Sequence, residues 1–269
     1  MGGPGLEYLL RHDRRITIVG LVILCGLAWL YLLGGAGMND GAVSGLGLLP
    51  HQPVVHRMAT MKAPTGAGMW LLAVTMWWVM MIAMMIPSAA PTILLYSSVC
   101  RHAAASGSAS SVSPVGAFAA GYLLVWLLFS VAASAVGHFV DLAGTLSPLA
   151  GTTARWPAAA LLVAVGVYQW SPLKNACLSH CRSPAAFLSR HWRPGKLGAL
   201  RLGALHGVYC VGCCWMLMTL LFVGGAMNLL WIAALTLLVM IEKLVPKGEI
   251  VGRIVGIVLI GWSMATVVL

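Results

Sequence analysis

The sequence predicts an all-α protein, a polytopic transmembrane helical bundle. Of its 269 residues, 60% are hydrophobic and only 8% are charged, and the mean hydropathy is +0.93. A soluble domain carries about a quarter charged residues, so most of the surface of this chain is expected to face lipid. The length accommodates about seven spans of roughly 20 residues each, with six as the alternative.

Apolar runs bounded by Pro, Gly, Ser or charged residues define the predicted helices. They cover residues 16–37, 69–99, 115–137, 157–171, 203–223, 228–244 and 250–269. The fourth run is short, which is why six spans remain an alternative. Pro87 and Pro91 lie inside the second run, and we expect a kink or a break there because each proline removes a backbone hydrogen bond. The first run exceeds the length of a signal-peptide core, so we interpret it as an uncleaved helix.

The basic residues predict the orientation of the chain. With the N-terminus inside, the inner segments hold 13 of the 16 Lys and Arg residues and the outer segments hold three. This positive-inside bias predicts a multi-pass membrane protein with residues 172–202 as a cytoplasmic loop. The net charge of +10 does not indicate nucleic-acid binding, because no basic stripe is interleaved with aromatic residues.

The stretch "ALHGVYCVGCCWML", residues 204–217, places four potential metal ligands in an apolar run. His206, Cys210, Cys213 and Cys214 are spaced by three and four residues, so on a helix they share one face. Thiolates and imidazoles favour Cu(I), zinc or an iron centre. The absence of carboxylates disfavours magnesium and calcium.

A second cluster lies in "PLKNACLSHCRSP", residues 172–184. One helical turn presents Cys177, His180 and Cys181 together. In the predicted topology both clusters lie at the cytoplasmic membrane boundary, where they form one closed site or two adjacent ones.

A methionine pattern in the second span has two interpretations. Met76, Met80 and Met84 repeat every four residues, and Met81 and Met85 form a parallel pair. Thioethers bind Cu(I) without the desolvation cost of a charge, so the stripe is a candidate secondary metal site. Methionine also packs well between helices, and taken alone the pattern favours packing.

Other polar or sulfur-bearing residues receive simpler interpretations. Cys25 and Cys100 are expected to fill apolar space. Glu242 is expected to pair with its neighbour Lys243, and Asn228 to cap the sixth helix. The outer loop contains a candidate capture site for metal, formed by His51, His56, Met58 and Met61.

Three blocks together resemble a bacterial family described as predicted metal-binding integral membrane proteins, whose members are sometimes labelled copper chaperones. The blocks are "WWVMMIAMMIPSAAPTILLY", "PLKNACLSHCRSP" and "LHGVYCVGCCWMLMTLLFVGGAMNLLWI", followed by Glu242-Lys243. The resemblance covers about residues 69–245. It implies a polytopic helical protein whose metal ligands are Cys177, His180, Cys181, His206, Cys210, Cys213 and Cys214.

These observations divide the chain into three predicted parts. Residues 1–68 form an N-terminal anchor helix and outer loop, 69–245 a metal-binding transmembrane core, and 246–269 a C-terminal transmembrane helix. The leading functional hypothesis is a copper-handling protein that binds Cu(I) and acts as chaperone, transporter or source of metal for a membrane cuproenzyme. A soluble metallochaperone is a further candidate partner.

Three alternatives remain open from the sequence. Cys210 and Cys213 form a C-x-x-C pair, which is also typical of thiol–disulfide oxidoreductases. The same ligands also suit zinc, iron or haem. A third class is an assembly factor in which the cysteines only pack. No nucleotide-binding loop is visible, which disfavours ATP-driven pumping by this chain alone.

Overall fold

The computed structural model describes residues 4–34, 67–105, 114–142, 155–226 and 228–268, and every regular element within them is a helix. The prediction of an all-helical protein is therefore confirmed for these ranges. The helices are α1 (Pro4–Leu33), α2 (Ala67–Ala105), α3 (Val115–Leu142), α4 (Arg155–Tyr168), α5 (Pro172–Arg182), α6 (Pro184–His191), α7 (Gly195–Thr219), α8 (Leu221–Gly224), α9 (Leu229–Leu244) and α10 (Gly248–Val268). The predicted capture site at His51, His56, Met58 and Met61 lies outside the described residues.

Five of the helices are long and apolar enough to cross a membrane. These stretches are Arg15–Leu33, Trp70–Ala103, Val115–Phe139, Gly195–Gly224 and Gly248–Val267. The other two predicted spans correspond to α4 and α9, which have 14 and 16 residues. At 1.5 Å per residue they extend only about 21 and 24 Å, against a hydrocarbon core of about 30 Å.

The segment predicted as a loop at 172–202 is mostly helical. Ser171 caps α5 by accepting a hydrogen bond from the Leu173 amide, and Pro172 occupies the first turn, where its missing N–H costs nothing. Helices α5 and α6 are amphipathic and only weakly apolar, so an interpretation based on apolar runs passes over them. Asn228 caps α9 through the amides of Leu230 and Trp231, as expected.

Helix α2 continues unbroken through both of its prolines, contrary to the expectation of a possible break. Pro87 has no N–H to give to the carbonyl of Ala83, four residues earlier. The thiol of Cys25 on α1 lies 3.8 Å from that carbonyl oxygen and donates to it. Neighbouring side chains can replace a lost helical hydrogen bond in this way, so Cys25 does more than fill space.

Helices α3 and α7 pack closely against each other. A Cβ atom added at Gly121 of α3 would lie 2.0 Å from the Leu200 oxygen, and one at Gly203 of α7 would lie 1.9 Å from the Phe118 oxygen. Small residues at such crossings let two backbones touch. The contact carries Tyr122 of α3 into the interior beside the cysteine-bearing half of α7.

The remaining helices surround this pair. Helix α2 packs on α3, α1 on α2, α5 on α7, and α10 on α4. The outer faces of α1 and α10 are apolar and exposed, as at Val22, Leu27 and Ile257, which are 60–64% exposed. A large apolar exterior of this kind needs an apolar surrounding.

Candidate sulfur site

Helices α5 and α7, which carry both predicted ligand clusters, pack against each other in opposite directions. Cys177 contacts the backbone at Gly212. One turn later, the His180 ring stacks on that of Tyr209 with centroids 4.1 Å apart and planes 3° from parallel. The arrangement brings the thiol of Cys181 to the α7 cysteines. The two clusters therefore meet at one helix interface.

Four thiols form a compact group at this interface, which we call the thiol group: Cys181, Cys210, Cys213 and Cys214. The three on α7 are at most 2% exposed, while Cys181 is half-buried. Cys213 and Cys214 donate to the Cys210 backbone oxygen, at 3.1 and 2.9 Å. Cys181 donates to Cys210 and Cys213, and these hydrogen bonds together with burial raise the pKa of the Cys181 thiol well above its ordinary value.

A buried lysine contacts the thiol group. The Lys243 ammonium of α9 donates to the Cys210 sulfur at 2.9 Å and to the Ser88 hydroxyl at 3.2 Å. The Tyr122 hydroxyl lies 3.1 Å from the same sulfur. Polar groups from three other helices, Cys181, Tyr122 and Lys243, thus converge on the Cys210 sulfur.

The expected ion pair between Glu242 and Lys243 is wrong. The Glu242 carboxylate instead accepts two hydrogen bonds from Lys174 of α5, at 2.7 and 2.8 Å, and Lys174 also donates to Gln169. Consecutive residues on a helix point about 100° apart, so Glu242 and Lys243 face different neighbours. Both are buried.

All five methionines of the α2 stripe are buried, at 5% exposure or less. They are Met76, Met80, Met81, Met84 and Met85. Met85 reaches the thiol group, because its sulfur lies 3.9 Å from the Cys214 thiol. All five belong to the apolar core, and the contact with Cys214 gives Met85 a distinct position among them.

His206 is buried, with 2% exposure, between the rings of Phe118, Tyr122 and Phe187. Its Nδ1 atom has no hydrogen-bond partner, although buried polar atoms are nearly always paired. The residue lies one turn before Cys210, and Tyr122 contacts both. His206 therefore belongs to the surroundings of the thiol group.

Cys177 and His180 lie at the outer side of the interface, and both are half-buried. Burial, and then the neighbouring Cys213, raise the pKa of the Cys177 thiol. His180 Nδ1 lies 2.8 Å from the Ala176 carbonyl oxygen. A carbonyl only accepts, so Nδ1 is the donor in this hydrogen bond.

Within the described ranges, no group of three or more His, Cys, Asp or Glu side chains is arranged so that it could hold a metal ion. Two of the thiols point to the Cys210 carbonyl instead of a common centre. Sequence reasoning also missed Lys243 and Tyr122 as members of the site. The available signal was a lysine at the end of the apolar run of α9, where a buried charge needs a partner.

The fold and the site define a class: helical proteins with several apolar helices long enough to cross a membrane and a buried, sulfur-rich centre. The model of a family described as copper chaperone, PpoB2, matches residues 74–266. The chain belongs to this family, which confirms the resemblance found in the sequence. The match includes the thiol group, Met85 and Lys243. No curated protein and no solved structure matches the chain.

Proposed function

We propose that this protein is a multi-pass protein of the bacterial inner membrane that binds Cu(I) through its thiol group and passes it to a partner. Membership of a copper chaperone family supports the copper role. The five long apolar helices and the positive-inside distribution of Lys and Arg support the location. The N-terminus lies inside in this proposal, and the short helices α4 and α9 complete a total of about seven spans.

The observation that carries the proposal is the convergence of sulfur atoms from three helices. Cys181 comes from α5, Cys210 with Cys213 and Cys214 from α7, and the Met85 thioether from α2. Thiolate and thioether donors select Cu(I) among the metals available to a cell. The residues proposed to bind copper directly are the thiol group, with Met85 as a neutral extra donor.

The number of ligands needed is small. Cu(I) forms stable complexes with two thiolates, so the ion does not require three residues already arranged around a centre. Rotation of Cys213 about its χ1 bond exchanges its hydrogen bond to the Cys210 carbonyl for a metal contact. Staggered rotamers are the accessible alternatives for such a side chain.

Lys243 supplies the charge balance of the proposed site. Two thiolates and one Cu(I) ion carry a net charge of −1, and the ammonium beside Cys210 cancels it. Isolated charges are costly away from water, and neutral groups of paired charges are much less so. Lys243 contacts a sulfur atom, and no carboxylate of the described residues pairs with it. Its positive charge can therefore balance the single negative charge of a complex between Cu(I) and two thiolates.

The rest of the chain receives supporting roles in this proposal. Residues 69–245 form the metal-binding core, 1–68 an anchor helix and outer loop, and 246–269 a C-terminal transmembrane helix. Cys177 and His180 lie beside the thiol group at the partly exposed side of the α5–α7 interface. His206 lies on the buried side. The partners are a soluble metallochaperone that supplies copper or a membrane cuproenzyme that receives it.

The test is elemental analysis of the detergent-purified protein after growth with balanced copper, zinc and iron. We expect near-stoichiometric copper in the wild type and its loss in Cys210→Ser/Cys213→Ser. The matched control is Cys25→Ala/Cys100→Ala, which removes two cysteines outside the thiol group and keeps the copper. Zinc or iron in place of copper, or reversible disulfides without metal, contradicts the proposal.

A further inference from the structure

The cysteines of the two helices differ in access to the surroundings. Cys210, Cys213 and Cys214 are buried, whereas both cysteines of α5, Cys177 and Cys181, are partly exposed. Of these two, Cys181 is already hydrogen-bonded to Cys210 and Cys213. Burial, and then the neighbouring Cys213, raise the pKa of the Cys177 thiol. A partly exposed thiol therefore stands next to the buried ones at the outer side of the interface.

Gly212 is what lets Cys177 approach so closely. A Cβ atom at this position would lie 2.7 Å from the Cys177 sulfur and 3.4 Å from its Cβ, so a residue with a side chain would displace the cysteine. Gly212 immediately precedes Cys213 in the chain. The glycine thus lets the Cys177 sulfur lie against the α7 backbone, one residue before Cys213.

We propose that Cys177 is the exchange thiol of the site, through which Cu(I) passes between an external thiol complex and the buried thiol group. The inference rests on the proposed function, because the cargo is the same ion. Cys177 is a transfer residue here and does not hold the metal at rest.

The step is a ligand exchange without redox change. The Cys177 sulfur forms a bond to Cu(I) while the bond from the metal to a donor thiolate breaks, and the Cys177 proton goes to the departing donor. The Cys213 sulfur then replaces Cys177 on the metal in the same manner, and the Cys213 proton returns to Cys177. The copper remains Cu(I) throughout, and release follows the reverse order.

The experiment measures copper release from the loaded, detergent-purified protein to a bathocuproine disulfonate chelator by stopped flow. We expect Cys177→Ser to retain the wild-type amount of copper and to release it about tenfold more slowly, because thiol exchange depends on an accessible attacking thiol. Gly212→Ala keeps every cysteine but displaces Cys177, and it should slow release in the same direction. Cys100→Ala, a change remote from the site, should leave the rate unaltered.

The outcomes separate this inference from the proposed function. An unchanged release rate in Cys177→Ser overturns the inference alone. Loss of bound copper in Cys177→Ser also overturns it, because Cys177 would then hold the metal at rest. A wild-type protein that binds no copper overturns the proposed function and this inference with it.

Discussion

Two buried lysines lie at neighbouring places in the molecule, and they have opposite surroundings. Lys174 of α5 donates to both oxygens of Glu242 and to Gln169. Lys243 of α9 donates to the Cys210 sulfur and the Ser88 hydroxyl. Both lysines are at most 7% exposed, yet of the two only Lys174 is paired with a carboxylate among the described residues.

The difference separates a charge that is paired within the fold from one that our proposal assigns to the copper site. The Lys174–Glu242 pair is neutral by itself and ties α5, with Cys177 and Cys181, to the end of α9. Lys243 gains a full opposite charge only when Cys210 is a thiolate. Burying an ammonium group without a carboxylate partner costs free energy. In our proposal a negatively charged metal–thiolate complex is the partner of Lys243 and offsets this cost.

Removing Lys174 from its pair with Glu242 is expected to have the largest effect, a loss of folding stability. Lys174→Met leaves the Glu242 carboxylate buried without its cation, which destabilises a protein by about 3–5 kcal/mol. Thermal unfolding in detergent measures the change. The double variant Lys174→Met/Glu242→Leu replaces the whole pair by apolar groups and should recover most of the loss. A single variant as stable as the wild type would show that the pair does not tie α5 to α9.

Removing Lys243 should affect copper more than folding. Lys243→Met leaves no carboxylate unpaired, but it removes the cation that balances two thiolates and Cu(I). At about 4 Å and an effective dielectric constant of about 20, such an interaction is worth up to about 4 kcal/mol before desolvation is deducted. We expect copper affinity to fall about ten- to hundredfold, measured by competition with a Cu(I) chelator.

The matched variant for this lysine is Lys243→Arg, which keeps the charge. It should retain more affinity than Lys243→Met, although the larger guanidinium fits the site less well. Equal affinity in Lys243→Met and the wild type would contradict the comparison between the two lysines.

Substitutions in the methionine stripe are expected to have the smallest effect on copper affinity. They distinguish Met85 from its equally buried neighbours. Met85→Leu conserves volume but removes the thioether next to Cys214, and we expect copper affinity to fall by a factor of about three. Met80→Leu and Met81→Leu, made at equally buried positions, should leave affinity unchanged. The same chelator competition measures all three, and equal losses in all would indicate a packing effect.

Sequence patterns were sufficient for the long helices, because apolar runs of about 20 residues are a strong signal. They passed over α5 and α6, whose weaker apolar character does not stand out between apolar spans. They also placed Cys210, Cys213 and Cys214 on one face of a helix, because that depends only on the local period.

What faces a helix depends on tertiary packing, and here the sequence was insufficient. Lys243 is 33 residues from Cys210 along the chain, and its adjacency to Glu242 suggested the wrong partner. Likewise the periodicity of α2 could not single out Met85 among five methionines. The seven predicted ligands stay a prediction as a set, within which the structure brings the four members of the thiol group into contact.

In our proposal, buried sulfur atoms balanced by Lys243 hold Cu(I). X-ray absorption at the copper edge of the loaded protein tests it most directly, because the spectrum reports both the oxidation state and the atoms bound to the metal. We expect a spectrum of Cu(I) with sulfur ligands only, and we expect Cys210→Ser/Cys213→Ser to lose it. Cu(II), or Cu(I) bound mainly by nitrogen and oxygen and unaffected by the double substitution, would contradict it.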